Sequence, residues 1–469
     1  MTIDWTKEVE LRKEALLADL QELLRINSER DDSQATTDAP FGPGPRDALL
    51  KFLDFAKRDG FAVKNVDNYV GHMDYGQGDE TLGIFGHMDV VPAGDGWDTN
   101  PYEPVIKDGK IYARGSSDDK GPTMAAYYAV KMIKELGLPV NKKIRLVVGT
   151  DEESGWADMD YYFQKEEKPD FGFSPDAEFP IINGEKGNVS MRAHFAGTNG
   201  GTFTLKSFTG GLRENMVVGK ATAVVTAPAE AVAAIQTAFT NYLANVPVTG
   251  EVATTATELT FNVTGKGAHG AHPESGINAA TFLAAFLKDY DFAGAGKTFL
   301  TIAGDTLHEE FFGEKLAVAI TDEKMGRLSM NAGLFSFVDG VSDNYLNMNF
   351  RYPKGTTAAE IKAGLEKTFA GLGVEISQAD RNQEPHYVPL EDPLVATLLQ
   401  VYEDHIGEKG YEQIIGGGTY GRLLKRGVAY GAMFPGYTDT MHQANEFMSL
   451  DDLFRATALY ADAIYRLVK

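Results

Sequence analysis

Three short apolar runs in this chain each lead into a side chain able to bind metal, and that recurrence limits the folds open to it. Leu82-Gly83-Ile84-Phe85 leads to His87, Ile144-Arg145-Leu146-Val147-Val148 to Thr150-Asp151-Glu152-Glu153, and Phe171-Gly172-Phe173 to Asp176. Runs of this length and composition read as buried strands. Strands that each deliver a polar residue at one end describe an α/β sheet with its site along that edge. Two further residues join the set: Asp118, in Arg114-Gly115-Ser116-Ser117-Asp118-Asp119-Lys120-Gly121, and His442, after Met441. The imidazoles of His87 and His442 with the carboxylates of Asp118, Glu153 and Asp176 suit a pair of zinc ions sharing one ligand. Paired metals are a device for hydrolysis.

Composition narrows the choice further. The chain has no cysteine, so disulfides and thiolate zinc sites are impossible and any metal must use His, Asp or Glu. A net charge of −23 argues against nucleic acid or an anionic membrane as partner. It reads as a solvated acidic surface. Hydrophobic content of 43% and charged content of 24% are ordinary for a globular protein, and 469 residues suffice for two or three domains. The start, Met1-Thr2-Ile3-Asp4-Trp5, is polar, no apolar signal core follows, and no apolar run reaches transmembrane length. A cytoplasmic protein is expected.

Leu16, Leu20, Leu23 and Leu24 predict an amphipathic helix over about residues 7–26, and Lys120 to Leu136 a helix stopped by Gly137. The character changes near Gly184-Glu185-Lys186-Gly187. Val189, Met191, Ala193 and Phe195 alternate as on a half-exposed strand. Helices are expected at Pro228–Val246, Ile277–Tyr290 and Thr357–Leu372, and strands at Thr257–Val263, Tyr345–Arg351 and Val374–Ile376. The Ala-, Thr- and Gly-rich stretches near 221–256 read as loops and helix surface. After Pro385 the first character returns, with a helix at Pro393–Ile406 and a last helix starting at Ser449, three residues before Asp452. The chain therefore divides into a discontinuous domain, 1–186 and 384–469, and an inserted β/α domain with antiparallel sheet, 187–383.

Each candidate residue has a plainer explanation beside the functional one. In His87-Met88-Asp89, Asp89 can accept the second ring N–H of His87 and raise its basicity as a ligand, or the pair can be structural. Asp118 before a helix can be an N-cap, but two adjacent acids repel, and a cation relieves that. Adjacent side chains leaving a strand diverge, so Glu152-Glu153 suits two jobs: Glu153 on metal, Glu152 as general base with a carboxyl raised by desolvation. An acidic turn is the alternative. Asp176 can be a turn former and His442 a surface histidine. Gly416-Gly417-Gly418-Thr419-Tyr420-Gly421 matches the dinucleotide fingerprint, with Asp439 at about the right distance for an NAD or FAD site. That fingerprint normally opens a full βαβ unit, whereas here it lies close to the C-terminus. The preferred reading is an amide-rich loop at a helix start, with Gly418 and Thr419 receiving a substrate carboxylate. No G-x-S-x-G elbow and no H-E-x-x-H occurs, and His308-Glu309-Glu310 is incomplete.

Gly86-His87-Met88-Asp89-Val90-Val91-Pro92, Arg114 to Gly121 and Glu152-Glu153 resemble the co-catalytic zinc peptidases that include aminoacylases, carnosinases and succinyl-diaminopimelate desuccinylase, and among them the PepV-type bacterial dipeptidases. The likeness continues through Ser174-Pro175-Asp176-Ala177-Glu178, Gly267-Ala268-His269, Asn349 to Pro353, Glu384 to Pro389 and Gly416 to Arg422. It implies an α/β/α catalytic domain with an inserted α+β lid. It implies that His87 and Asp176 hold one zinc, Glu153 and His442 the other, and that Asp118 bridges, with a cis peptide expected at Asp118–Asp119. Glu152 becomes the base and Asp89 the partner of His87. His269 would stabilise the oxyanion, and Asn215 and Arg351 would grip substrate. The sequence after Asn215 lacks the proline common in the family, and His272 has no implied role. The implied activity is hydrolysis of short peptides, mainly dipeptides with free termini, by a hydroxide on two Zn²⁺ per chain, with Co²⁺ or Mn²⁺ as substitutes, in a monomer. An N-acyl amino acid deacylase or desuccinylase is the alternative. A non-enzymatic binding protein on the same scaffold is the remote one.

Overall fold

The computed structural model describes residues 3–469, the side chains of Asp380 and Arg381 excepted. The chain forms two compact units, Met1–Gly184 with Tyr387–Lys469, and Glu185–His386.

In the first unit the strands are β1 (Ala62–Val66), β2 (Val70–Tyr75), β3 (Thr81–His87), β4 (Lys143–Gly149) and β5 (Phe171–Ser174). They lie in the order β1-β2-β4-β3-β5, followed by the strand Gly427–Ala429. From β4 to Gly427–Ala429 every pairing is parallel, whereas β1, β2 and β4 pair antiparallel. Parallel strands need both faces covered, and their side chains supply this. Leu82, Ile84, Leu146 and Val148 point into one core, while Phe85 and Val147 point into another with Tyr162 and Tyr420. The first core is closed by helices α1 (Lys13–Leu24), α2 (Pro43–Arg58) and α3 (Lys120–Glu135), with Leu450–Val468 beside them. Helix α3 is buried along nearly its whole length, which its Ala-, Met- and Tyr-rich sequence permits. Gly137, at φ +62°, ends it: the Gly137 and Leu138 amides donate to the Lys134 and Ile133 carbonyls.

The helix expected over 7–26 is two helices, Trp5–Glu10 and α1. Arg12 lies at the break, where its guanidinium binds the Glu8 carbonyl and carboxylate and reaches Glu135. The last helix is capped at Ser449, whose hydroxyl accepts from the Asp452 amide.

The second unit is an eight-stranded antiparallel sheet. Its strands are β6 (Gly187–Phe195), β7 (Thr204–Gly210), β8 (Lys220–Thr226), β9 (Thr249–Thr254), β10 (Glu258–Thr264), β11 (Ser329–Val338), β12 (Asn344–Tyr352) and β13 (Val374–Gln383). Their order is β9-β10-β8-β7-β11-β12-β6-β13. Alternation sorts each strand into two faces. Leu346, Met348, Phe350 and Tyr352 of β12 join Val189, Met191 and Phe195 of β6 in a core that also takes Ile235, Phe239, Phe299 and Ile361 from helices. Asn347, Asn349 and Arg351 occupy the other face. Two strands, β8 and β9, lie where loops and helix surface were expected. Ala223 and Val225 face inward in β8, but threonine and alanine alternate with so little contrast in hydropathy that the period of two is faint. Pro228 is the N-cap of helix Ala229–Leu243 rather than part of its first turn.

His72 on β2 is buried, 3% exposed, with the Tyr162 hydroxyl 2.8 Å from Nδ1. Burial, aided by the Arg145 charge, pushes its imidazole down to about 4 from 6.5. The unfolded chain therefore takes up this proton below pH 6.5 and the folded chain only near 4. The resulting stability is complete above 6.5 and is lost as pH falls toward 4, by on the order of 3 kcal/mol. His72→Gln is expected to flatten urea-unfolding stability over that window relative to the parent. An identical pH slope in the two proteins would refute the assignment.

Candidate active site

His87 is the last residue of β3 and lies opposite Gly149, the last residue of β4. Thr150 to Glu153 therefore leave β4 at the same edge, and Asp176 comes two residues after β5. Asp118 and Asp119 stand at the start of α3, joined by a cis peptide. His442 lies in a loop with φ +60°, a conformation unusual for a residue other than glycine.

These residues, distant in sequence, meet. Nε2 of His87 is 3.1 Å from Oδ1 of Asp118 and 3.7 Å from Oδ2 of Asp176. Nε2 of His442 is 2.9 Å from Oδ2 of Asp118 and 3.2 Å from Oε1 of Glu153. Asp118 thus offers one oxygen to each imidazole. Glu152 also lies within reach of His87 and Asp176.

The surrounding hydrogen bonds fix these side chains. Nδ1 of His87 lies 2.9 Å from the Asp89 carbonyl oxygen and 3.4 Å from its carboxylate. The Asp89 carboxylate is itself engaged elsewhere: Oδ1 accepts from the Glu152 amide at 3.1 Å and Oδ2 from the Glu153 amide at 3.0 Å. It thereby ties His87 to the Glu-Glu pair. Oδ2 of Asp119 accepts from the His87 amide and the Thr123 hydroxyl. That approach needs Gly86, where a Cβ would stand 1.9 Å from the Thr123 hydroxyl oxygen.

Glu446 carries no motif that marks it in the sequence. Its carboxylate, fully buried, accepts from Nη1 of Arg114 at 2.6 Å and from the Gly115, Ser117 and Asp118 amides at 3.1, 2.9 and 3.2 Å. It holds the loop that carries Asp118. Only its place four residues after His442 could draw notice.

The electrostatics share one cause, an excess of carboxylates in a buried place. Burial pushes the Glu152 carboxyl well above its ordinary value, and Asp176, Glu153 and Asp89 add to this while His87 opposes it. Burial and Asp118 raise Glu153 to about 7 against the pull of His442. Burial would lower the His442 imidazole, but Asp118 and Glu153 outweigh it and drive it up to about 11. Burial would raise Asp118, but hydrogen bonds from His442 and His87 hold it well below the usual carboxylate range. Such a cluster calls for positive charge, and its donor set suits divalent cations. Two ligands sharing a tetrahedral cation at about 2.0–2.1 Å stand about 3.3 Å apart, close to the separations found here.

Gly418 and Thr419 do not open a long helix. The next element is a four-residue 3-10 turn, Tyr420–Leu423, whose Gly421 amide is already taken by the Thr419 hydroxyl. The long helix expected to begin at these amides is therefore absent, and the dinucleotide reading, which needs one, loses that support.

In the second unit, Arg351 is buried near the end of β12, and its Nε donates to Oδ1 of Asn349 at 3.1 Å. Ser329 lies opposite it on β11 and donates to the Ala271 carbonyl. His269, two residues before Ala271, is exposed. Its neighbour Gly270 donates to the Asn215 carbonyl at 2.7 Å. His272 is exposed, with Nδ1 3.8 Å from Glu274.

Residues 83–466 match the profile of Peptidase family M20/M25/M40. A protein of Lactobacillus delbrueckii subsp. lactis named Beta-Ala-Xaa dipeptidase is 44% identical over 472 residues, covering 100% of this chain and 99% of its own. Among solved structures, human carnosine dipeptidase 1 aligns with TM-score 0.57 at 16% identity, over 99% of this chain and 98% of its own. A tripeptidase from Staphylococcus aureus subsp. aureus mu50 aligns with TM-score 0.57 at 17% identity, over 97% and 98%. At those identities the structures speak for the fold alone.

Glu446→Ala would leave Arg114, 1% exposed, as an unpaired buried charge. A loss of about 3–5 kcal/mol in urea unfolding is expected, partly recovered by adding Arg114→Met. Wild-type stability in the single variant would remove Glu446 from this role.

Proposed function

The chain belongs to peptidase family M20/M25/M40, and from that premise we propose that it hydrolyses dipeptides with free termini by means of two divalent cations. The observation that carries this reading is the Asp118 carboxylate, with one oxygen facing His87 and the other His442. The full-length likeness to a Beta-Ala-Xaa dipeptidase supports the substrate class.

His87 and Asp176 would hold one cation, Glu153 and His442 the other, and Asp118 both. Zinc is the first candidate because every donor is His, Asp or Glu, with cobalt or manganese as substitutes. When bound, the pair supplies Lewis acidity: it acidifies water and polarises the scissile carbonyl. Glu152 takes the proton of the attacking water and returns it to the leaving amine. A carboxyl raised by burial holds a proton more firmly than an ordinary glutamate, which suits a group that must take one up before returning it. Asp89 keeps the two glutamates on their separate tasks by accepting both their amides.

From the second unit, His269 would donate to the oxyanion, and Asn215 would orient the peptide. Arg351 would bind the terminal carboxylate, for which a planar guanidinium offers paired donors. Its support is the polar, buried face of β12, where Asn349 already orients the guanidinium.

Glu152→Gln is expected to retain both cations by elemental analysis yet lose about 10²–10⁴-fold in kcat. A variant keeping most turnover would remove Glu152 from the base role. Arg351→Ala is expected to raise KM for dipeptides by about 10–100-fold, the size of a lost charge-assisted contact of about 1.5–3 kcal/mol. Unchanged KM would exclude a carboxylate clamp. A panel of free dipeptides against N-acyl amino acids tests the substrate class, and preference for the acylated set would replace dipeptidase with deacylase.

A further inference from the structure

The loop carrying Glu152 and Glu153 is held from below by three residues that take no part in binding cations or moving protons: Trp156, Tyr420 and Asp158. The Trp156 indole N–H donates to the Glu152 carbonyl at 2.8 Å. With Asp89 on the Glu152 amide, both polar backbone atoms of Glu152 are therefore fixed by side chains. Trp156 itself sits at φ +57°, a left-handed conformation that costs a tryptophan energy and persists only where the surroundings over-determine it.

Those surroundings are specific. The Tyr420 ring stands edge-on to Trp156, centroids 5.2 Å apart, and edge-on to His87 at 6.4 Å. Its hydroxyl donates to Oδ2 of Asp158 at 2.6 Å. The same oxygen accepts from the Thr150 amide at 2.7 Å and the Asp151 amide at 3.1 Å, where the chain leaves β4. Gly149 makes this possible, since a Cβ there would stand 2.4 Å from Oδ2 of Asp158 and 2.6 Å from the Tyr420 oxygen. The unit thus reaches from His87 through Tyr420 to both ends of the segment 150–156.

We infer that Trp156 is a positioning residue for Glu152, braced by Tyr420 and Asp158, and that it sets the direction from which the base reaches water and leaving amine. This rests on Glu152 being the base. Ordinary core packing would need the ring of Trp156 but not its N–H, so the two roles separate chemically.

Trp156→Phe keeps a six-membered ring against Tyr420 but removes the N–H together with part of the indole, and replacing Trp156 by benzothienylalanine, which fills the same space, removes the N–H alone. In the cation-loaded enzyme, kcat on a dipeptide is expected to fall about 10–100-fold, as a misplaced base of about 1 Å would cost, with KM within about twofold. The ester analogue, with a hydroxy acid as leaving group, should fall by a several-fold smaller factor, because an alkoxide departs with less help from an acid than an amine does. Titration of the cation-free variant with Zn²⁺ by calorimetry should give the parent's stoichiometry. Tyr420→Phe should give a smaller loss of the same selective kind. An equal fall on amide and ester would mean lost active protein and would overturn the inference, as would unchanged kcat in Trp156→Phe. If Glu152→Gln stays active, the base assignment itself has failed. If it is dead while Trp156→Phe is unimpaired, only the positioning role has failed.

Discussion

The site depends on one carboxylate placed between two imidazoles. Asp118 presents Oδ1 to His87 and Oδ2 to His442, and the backbone from which it projects is held by Glu446. A buried acid that accepts from Arg114 and three successive parts of the 115–118 loop leaves that loop little freedom to turn. A buried ion pair does not by itself guarantee stability. Here it holds the amides of the loop that carries Asp118, which a pair of apolar side chains could not do.

The rest of the cluster is a consequence of the parallel strands. Neighbours β3, β4 and β5 end at one edge, so the residues just past their ends are brought within a few ångströms with no need for a long loop. Such an edge gathers acids, and acids repel. Burial and that repulsion raise the carboxyls of Glu152 and Glu153, and the attraction of Asp118 and Glu153 raises the imidazole of His442. With no cysteine in the chain, any cation held here would have nitrogen and oxygen donors alone.

Whatever carried a local signal was legible in the sequence. Apolar runs leading to His87, Glu153 and Asp176 announce strands and candidate donors together, and the Ser449 cap announces the last helix. The Ala- and Thr-rich strands β8 and β9 escape notice because alanine and threonine give a period-two pattern little amplitude. The helix start expected after Gly418 is absent because glycines mark a turn without stating how long a helix it opens. Asp89 reads as the partner of the His87 ring, and its carboxylate, 3.4 Å from Nδ1, also takes two backbone amides. Those amides belong to the end of another strand, which no local spacing announces. Glu446 and Trp156 stand in no motif: the partners of Glu446 lie more than 300 residues away, and Trp156 meets Glu152 only through a left-handed turn.

Among the candidate donors, two depart from the strand-edge pattern: Asp118 precedes helix α3, and His442 lies in a loop. Its side chain is 55% exposed, against 1% for His87, and its backbone is left-handed. It is held by a loop in which the Met441 amide donates to Asp439 and the Gln443 amide to the Thr440 carbonyl. That loop ends in Glu446. Glu446 thus holds the Asp118 amide by its side chain, while its own place in the chain ends the loop that carries His442.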